Sequence, residues 1–111
     1  MAQAAQGYLV WCPFPDEAAA RAAAGVLLDE GLIACANIVP GLVSLYRWQG
    51  ERGEAREVGL LAKTHPTLGR QTVARLEQLH SYQTPAIIGW PAADAATGTG
   101  AWLQGLVETD D

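Results

Sequence analysis

Leu42-Val-Ser-Leu-Tyr-Arg-Trp48, Gln49-Gly-Glu-Arg-Gly-Glu54 and Glu57-Val-Gly-Leu-Leu-Ala-Lys-Thr64 read together as one long antiparallel hairpin. The outer runs are rich in valine, leucine and aromatics, and the polar, glycine-bearing stretch between them predicts the turn. Upstream, Ile33-Ala-Cys-Ala-Asn-Ile-Val39 lengthens the first strand. Pro40-Gly41 inside it reads as a bulge or bend rather than an end. This hairpin lies between two helical segments, and that position decides the fold.

On the N-terminal side, Tyr8-Leu-Val-Trp-Cys12 predicts a strand cut by Pro13-Phe14-Pro15. Asp16-Glu17 then places two carboxylates in a first helical turn, where the helix dipole favours them. Ala20, Ala23 and Leu27, with Ala24 and Leu28, recur at helical spacing. Gly31 is the predicted C′ residue, and Leu32 stands where a Schellman ending takes its apolar contact. On the C-terminal side, His65-Pro66-Thr67 opens a second helix with Leu68, Val73, Leu76 and Leu79 on its buried side. Pro85-Ala-Ile-Ile-Gly-Trp90 predicts a short strand stopped by Pro91. A flexible stretch over 92–100 and a short amphipathic segment over 101–107 complete the chain.

The order β-α-β-β-α-β, with a terminal helix, repeats a strand–helix–strand unit, and right-handed crossovers then favour one topology. The predicted class is α+β, a ferredoxin-like split-βαβ sandwich whose antiparallel sheet runs 4-1-3-2 with both helices on one face. One end of that sheet collects Cys12, His80, Tyr82 and the hairpin beyond Tyr46 and Trp48. The opposite end collects Cys35 and His65. A strand spans roughly 17–20 Å, and a disulfide tolerates only about 4.4–6.8 Å between Cα atoms. The two cysteines are therefore expected to stay free.

At 111 residues the chain bounds one domain, here 7–111, with 1–6 expected as a disordered N-terminal segment. Half of the residues are apolar and 17% are charged, too hydrophobic for a disordered chain. The net charge of −5 opposes nucleic-acid backbones and anionic membranes as partners. Met1–Gln6 has neither the basic nor the apolar region of a secretory signal, and no apolar run approaches a membrane span. The expected location is the cytoplasm.

Catalytic signatures are missing from the sequence. No Gly-x-Gly-x-x-Gly or P-loop pattern occurs, and Ser44 and Ser81 lack a Gly-x-Ser-x-Gly setting. Two cysteines and two histidines, divided between opposite ends, do not compose a conventional zinc site. The expectation is a protein that is not an enzyme.

Two motifs stand out, Cys35-Ala-Asn-Ile-Val-Pro-Gly-Leu-Val-Ser-Leu-Tyr-Arg-Trp-Gln-Gly50 and His80-Ser-Tyr-Gln-Thr-Pro85. With the Cys12 strand and Lys63-Thr64, they resemble the divalent-cation tolerance family CutA over most of residues 8–102. Every fixed position of Cys-x-Asn-Ile-x-Pro-Gly-x-x-Ser-x-Tyr-x-Trp-x-Gly is present. Ser81 departs from the family's usual proline, Ala86 from a frequent glutamate, and the terminal helix is short. The resemblance implies a ferredoxin-like protomer, a homotrimer with strands paired across subunits as in PII signalling proteins, and a role in tolerance to copper and other divalent cations. It implies no established catalytic reaction.

Cys12 and His80 match family positions implicated in copper binding, and a thiolate with an imidazole suits copper or zinc. The plainer reading of the same pair is a small buried hydrophobe and a helix C-terminal cap. Cys35 reads as structural. Tyr46 and Trp48, on an overlong hairpin, suit a subunit contact. Glu57 and Lys63 share a strand face and are candidates, with His80 and Tyr82, for a polar cleft between protomers; a solvated face is the alternative. The function expected is therefore copper or other divalent-cation binding at inter-subunit clefts of a homotrimer. A PII-like module that binds a small anionic metabolite through Lys63, Arg56 and backbone amides is the second reading. A proton-moving His80–Tyr82–Glu57 cleft is the third.

Overall fold

Asp16 takes an extended conformation and its carboxylate accepts the Ala19 N–H at 2.8 Å, so helix α1 (Glu17–Asp29) starts on a capped turn. Asp16 is thus the cap itself rather than a first-turn residue. The helix stops as its sequence predicts. Gly31 has φ 71°, its N–H donates to the Leu28 carbonyl at 3.1 Å, and the Leu32 N–H donates to Leu27 at 3.0 Å. Ala20, Ala23, Ala24 and Leu27 form the buried stripe.

The computed structural model describes residues 4–108. Strand β1 (Gly7–Phe14) precedes α1, and the long strands β2 (Cys35–Trp48) and β3 (Glu51–Thr64) follow it. A 3₁₀ turn, Pro66–Leu68, leads into α2 (Gly69–Leu79), then β4 (Ile88–Ala92) and α3 (Thr97–Gln104). The sheet order is β2-β3-β1-β4 with every neighbouring pair antiparallel, the predicted 4-1-3-2 order read from the other edge. Val10, Cys12, Phe14, Leu60 and Ala62 face the helices and share one core with the α1 stripe, Ile33 and Leu76. The Thr64 hydroxyl donates to the Leu32 carbonyl at 2.6 Å, and the Thr72 hydroxyl lies 3.2 Å from the same oxygen. One carbonyl thereby ties the end of α1 to β3 and α2.

Several boundaries differ from the sequence reading, for definite reasons. Pro13 does not end β1 but pairs with Gly59; pairing to β4 stops at Trp11, so the strand needs a partner on one side only there. Pro91 likewise lies within β4, an edge strand. The hairpin turn is two residues, not six. Gln49 and Gly50 have φ 51° and 81°, the positive pair of a type I′ turn, and Trp48 already faces Glu51. Pro40-Gly41 is the irregularity between Val39 and Leu42, as predicted. The stretch expected to be flexible over 92–100 contains the first turn of α3. Of the N-terminal segment expected to be disordered, residues 1–3 lie outside the described residues. Gln6 donates its N–H to Ala92 at 3.0 Å and accepts from Ala95 at 2.8 Å.

Candidate functional site

The last turn of α2 delivers His80 to the end of the sheet where β1 stops. Its N–H still donates to Leu76, while ψ 142° turns the chain out of the helix. The imidazole stacks on Phe14, with centroids 4.2 Å apart and planes at 17°, and lies 4.7 Å from the tilted Tyr82 ring. Its Nδ1 accepts the Tyr82 N–H at 3.1 Å, so that network assigns the proton to Nε2, which donates to the Pro13 carbonyl at 2.7 Å. Both ring nitrogens are engaged.

Cys12 lies on the helix-facing side of β1 and is fully buried, its thiol 3.7 Å from the same Pro13 carbonyl. Burial pushes the thiol up to about 12, with the Glu57 charge adding to the rise. Metal ligation needs the thiolate, so a cation bound here has to displace this proton. Above this layer the Tyr82 hydroxyl donates to Glu57 Oε2 at 3.0 Å. Desolvation first, then that bond and the charges of Glu57, Tyr46 and Asp16, hold the phenol up near 12. Glu57 Oε1 makes no hydrogen bond among the described residues.

The structure therefore gathers Cys12, His80, Tyr82 and Glu57 at one end, with Tyr46 and Asp16 close by. Within one protomer it does not bring Lys63 there. Lys63 pairs with Leu9 and Cys35 six residues along β3 from Glu57, roughly 20 Å at strand rise. Tyr46 lies across Gly53, where any Cβ would collide with its ring, and Trp48 stands exposed beside the turn. Sequence reasoning missed the Pro13 carbonyl, shared by Cys12 and His80, and the Phe14 ring beneath His80. Their adjacency to Cys12 was the available signal. Among the described residues no three His, Cys, Asp or Glu side chains converge on a point. One protomer, with its thiol buried and its imidazole fully bonded, does not by itself fit a chelated cation.

A family profile described as CutA1 divalent ion tolerance protein matches residues 8–105. The chain belongs to this family. The divalent-cation tolerance protein CutA of Thermus thermophilus is 43% identical over 90 residues, covering 81% of this chain and 87% of that protein. The CutA1 crystal structure from Ehrlichia chaffeensis superposes with a TM-score of 0.86 at 27% identity, covering 96% of this chain and all of that one. The periplasmic divalent cation tolerance protein CutA of Archaeoglobus fulgidus superposes with a TM-score of 0.85 at 27% identity, over 92% of this chain and 99% of that one. The CutA fold thus holds across the whole sheet and both major helices. No helix among the described residues is long and apolar enough to cross a membrane.

Proposed function

We propose that this CutA protein acts in divalent-cation tolerance by binding rather than catalysis, holding copper or another divalent cation weakly in clefts between the subunits of a cytoplasmic homotrimer. One juxtaposition carries the reading. The Glu57 carboxylate, with one oxygen free among the described residues, lies at the same end as the soft donors Cys12 and His80 and on the hairpin face that bares Tyr46 and Trp48. Exposed apolar groups of that size are what a second copy covers. A neighbour packed there supplies the donors that one protomer lacks, and a site built so sparsely binds weakly.

Calorimetric titration of the intact oligomer with copper, zinc and a panel of nucleotides tests this. Copper is expected to give saturable heat, and Cys12→Ser with His80→Ala is expected to weaken it at least tenfold with the fold retained by circular dichroism. Replacing a thiol and an imidazole removes the soft donors from that end. Unchanged copper affinity in this double variant places the cation elsewhere. Heat from a nucleotide alone, with none from copper, favours the PII-like metabolite reading.

A further inference from the structure

Beyond its bulge, the β2–β3 hairpin has two unlike faces. Leu42, Ser44, Tyr46 and Trp48 share one with Gly53, Ala55 and Glu57, the face that reaches the site. Val43, Leu45 and Arg47 share the other with Arg52, Glu54 and Arg56. That second face carries none of Cys12, His80, Tyr82 and Glu57. It gathers three of the seven Lys and Arg side chains of a chain whose net charge is −5. Arg47 and Arg52 stand directly opposite each other, an arrangement that destabilises a strand pair when no anion relieves it. Among the described residues the ion pairs are Arg21–Glu17 and Arg75–Glu30, so none of these three arginines has a carboxylate there within ion-pair distance, Glu54 on the same face included. Beside them Val43 and Leu45 are 53% and 63% exposed.

We propose that this face, Val43, Leu45, Arg47, Arg52 and Arg56, is a docking surface for an acidic, extended segment of a partner protein. Carboxylates on that segment pair with the guanidinium forks, which match carboxylate geometry two bonds at a time. Apolar residues between them cover Val43 and Leu45. The face is a ladder with a repeat of two residues, so an extended chain of the same period meets charge and apolar group in register. Long phosphate backbones are repelled by the surplus negative charge of the whole protein, whereas a short acidic segment meets mainly the local arginines. The surface lies on the opposite side of the arm from Tyr46 and Trp48, the aromatics proposed above to meet another copy.

The test uses fluorescence anisotropy on the intact protein with a labelled peptide of about eight alternating glutamates and leucines, long enough to span the patch at strand rise. A lysine–leucine peptide of equal length is the control. The glutamate peptide is expected to bind, the lysine peptide not to bind, and the affinity to fall as salt is raised. Arg47→Glu with Arg52→Glu is expected to weaken the glutamate peptide at least tenfold while light scattering shows an unchanged particle mass. Arg56→Ala, a milder change, is expected to weaken it by a smaller factor. Absence of binding, equal binding of both peptides, or binding indifferent to the charge reversal overturns the proposal. A reversal that lowers the particle mass also overturns it, by assigning this face to contacts between copies. That outcome leaves the proposed cation role standing, since the copper titration reads it separately.

Discussion

The two halves of the central hairpin pair by the same backbone rule and end in opposite surroundings. In the inner half Leu60 and Ala62 are fully buried under the helices, and Cys35–Val39 run alongside them. In the outer half, past the Pro40-Gly41 bulge, Leu45 and Trp48 are 63% and 53% exposed. Strand pairing alone is marginal in water, and a two-stranded ribbon needs a packed face to persist. The inner half obtains that face from its own chain. The outer half bares apolar groups to solvent in the single protomer, which places the protomer's stability at one end of the hairpin and the associations proposed for it at the other.

The sharpest way to break that division is at the buried end. Leu60→Ala deletes a side chain fully enclosed by the core and is expected to cost about 2–5 kcal/mol, because the cavity relaxes only in part. Chemical denaturation should show the loss as a lower midpoint. At the bare end, Trp48→Glu is expected to leave the protomer folded and disrupt assembly. Light scattering should give about 35 kDa for the native protein, three times the 11.8 kDa chain, and a smaller or aggregated particle for the variant. A native species near the mass of one chain would remove the trimer and the shared site together.

A pair of glycines sharpens the contrast at smaller scale. Gly59 lies under the Trp11 ring in the inner half and Gly53 under the Tyr46 ring in the outer half, and a Cβ at either collides with the aromatic. Gly59→Ala is expected to cost about 1–3 kcal/mol, because the partly buried Trp11 ring has to shift off the sheet. Gly53→Ala should cost clearly less, since the half-exposed Tyr46 can swing into solvent. Equal losses in thermal denaturation would mean the arm is packed as tightly as the core.

The smallest effect expected is one of pH. The Cys12 thiol ordinarily titrates near 9 and is held up to about 12 when folded, so above pH 9 the unfolded chain has lost a proton the folded one retains. Stability should therefore be full below that pH and decline from about 9 to 12, with Tyr82, also raised to about 12, adding to the decline. Cys12→Ala should flatten the alkaline limb of a stability-against-pH curve. An identical slope in the variant would place the titration elsewhere.

Much of this architecture was legible in the residues. The Gly31 ending of α1, the bulge at Pro40-Gly41 and the element order all follow from local chemistry that tertiary context left alone. The two misplaced strand ends share one cause. Proline is barred from a ladder only where its nitrogen faces a partner, and neither Pro13 nor Pro91 is flanked by strands on both sides. At the site, alternation and topology sufficed to bring Cys12 and His80 to one end. The bonds that close the imidazole, to Tyr82 two residues on and to Pro13 far back in the chain, depend on how the loop folds over β1. Side-chain spacing carries no record of that. Lys63 shows the converse limit, since sharing a face with Glu57 says nothing of the strand length between them.

The type I′ turn at Gln49-Gly50 sets a timetable as well as a shape. Turn and strands are contiguous in sequence, so the β2–β3 ribbon can close on the microsecond scale of isolated hairpins. Leu9 and Trp90, paired across β1 and β4, must wait for a far larger loop to close. During synthesis the ribbon is complete once Thr64 has emerged, while β4 is still unmade. The arm thus pairs early without persisting until the sheet packs behind it, and a nascent protomer spends that interval with Leu45 and Trp48 facing the crowd.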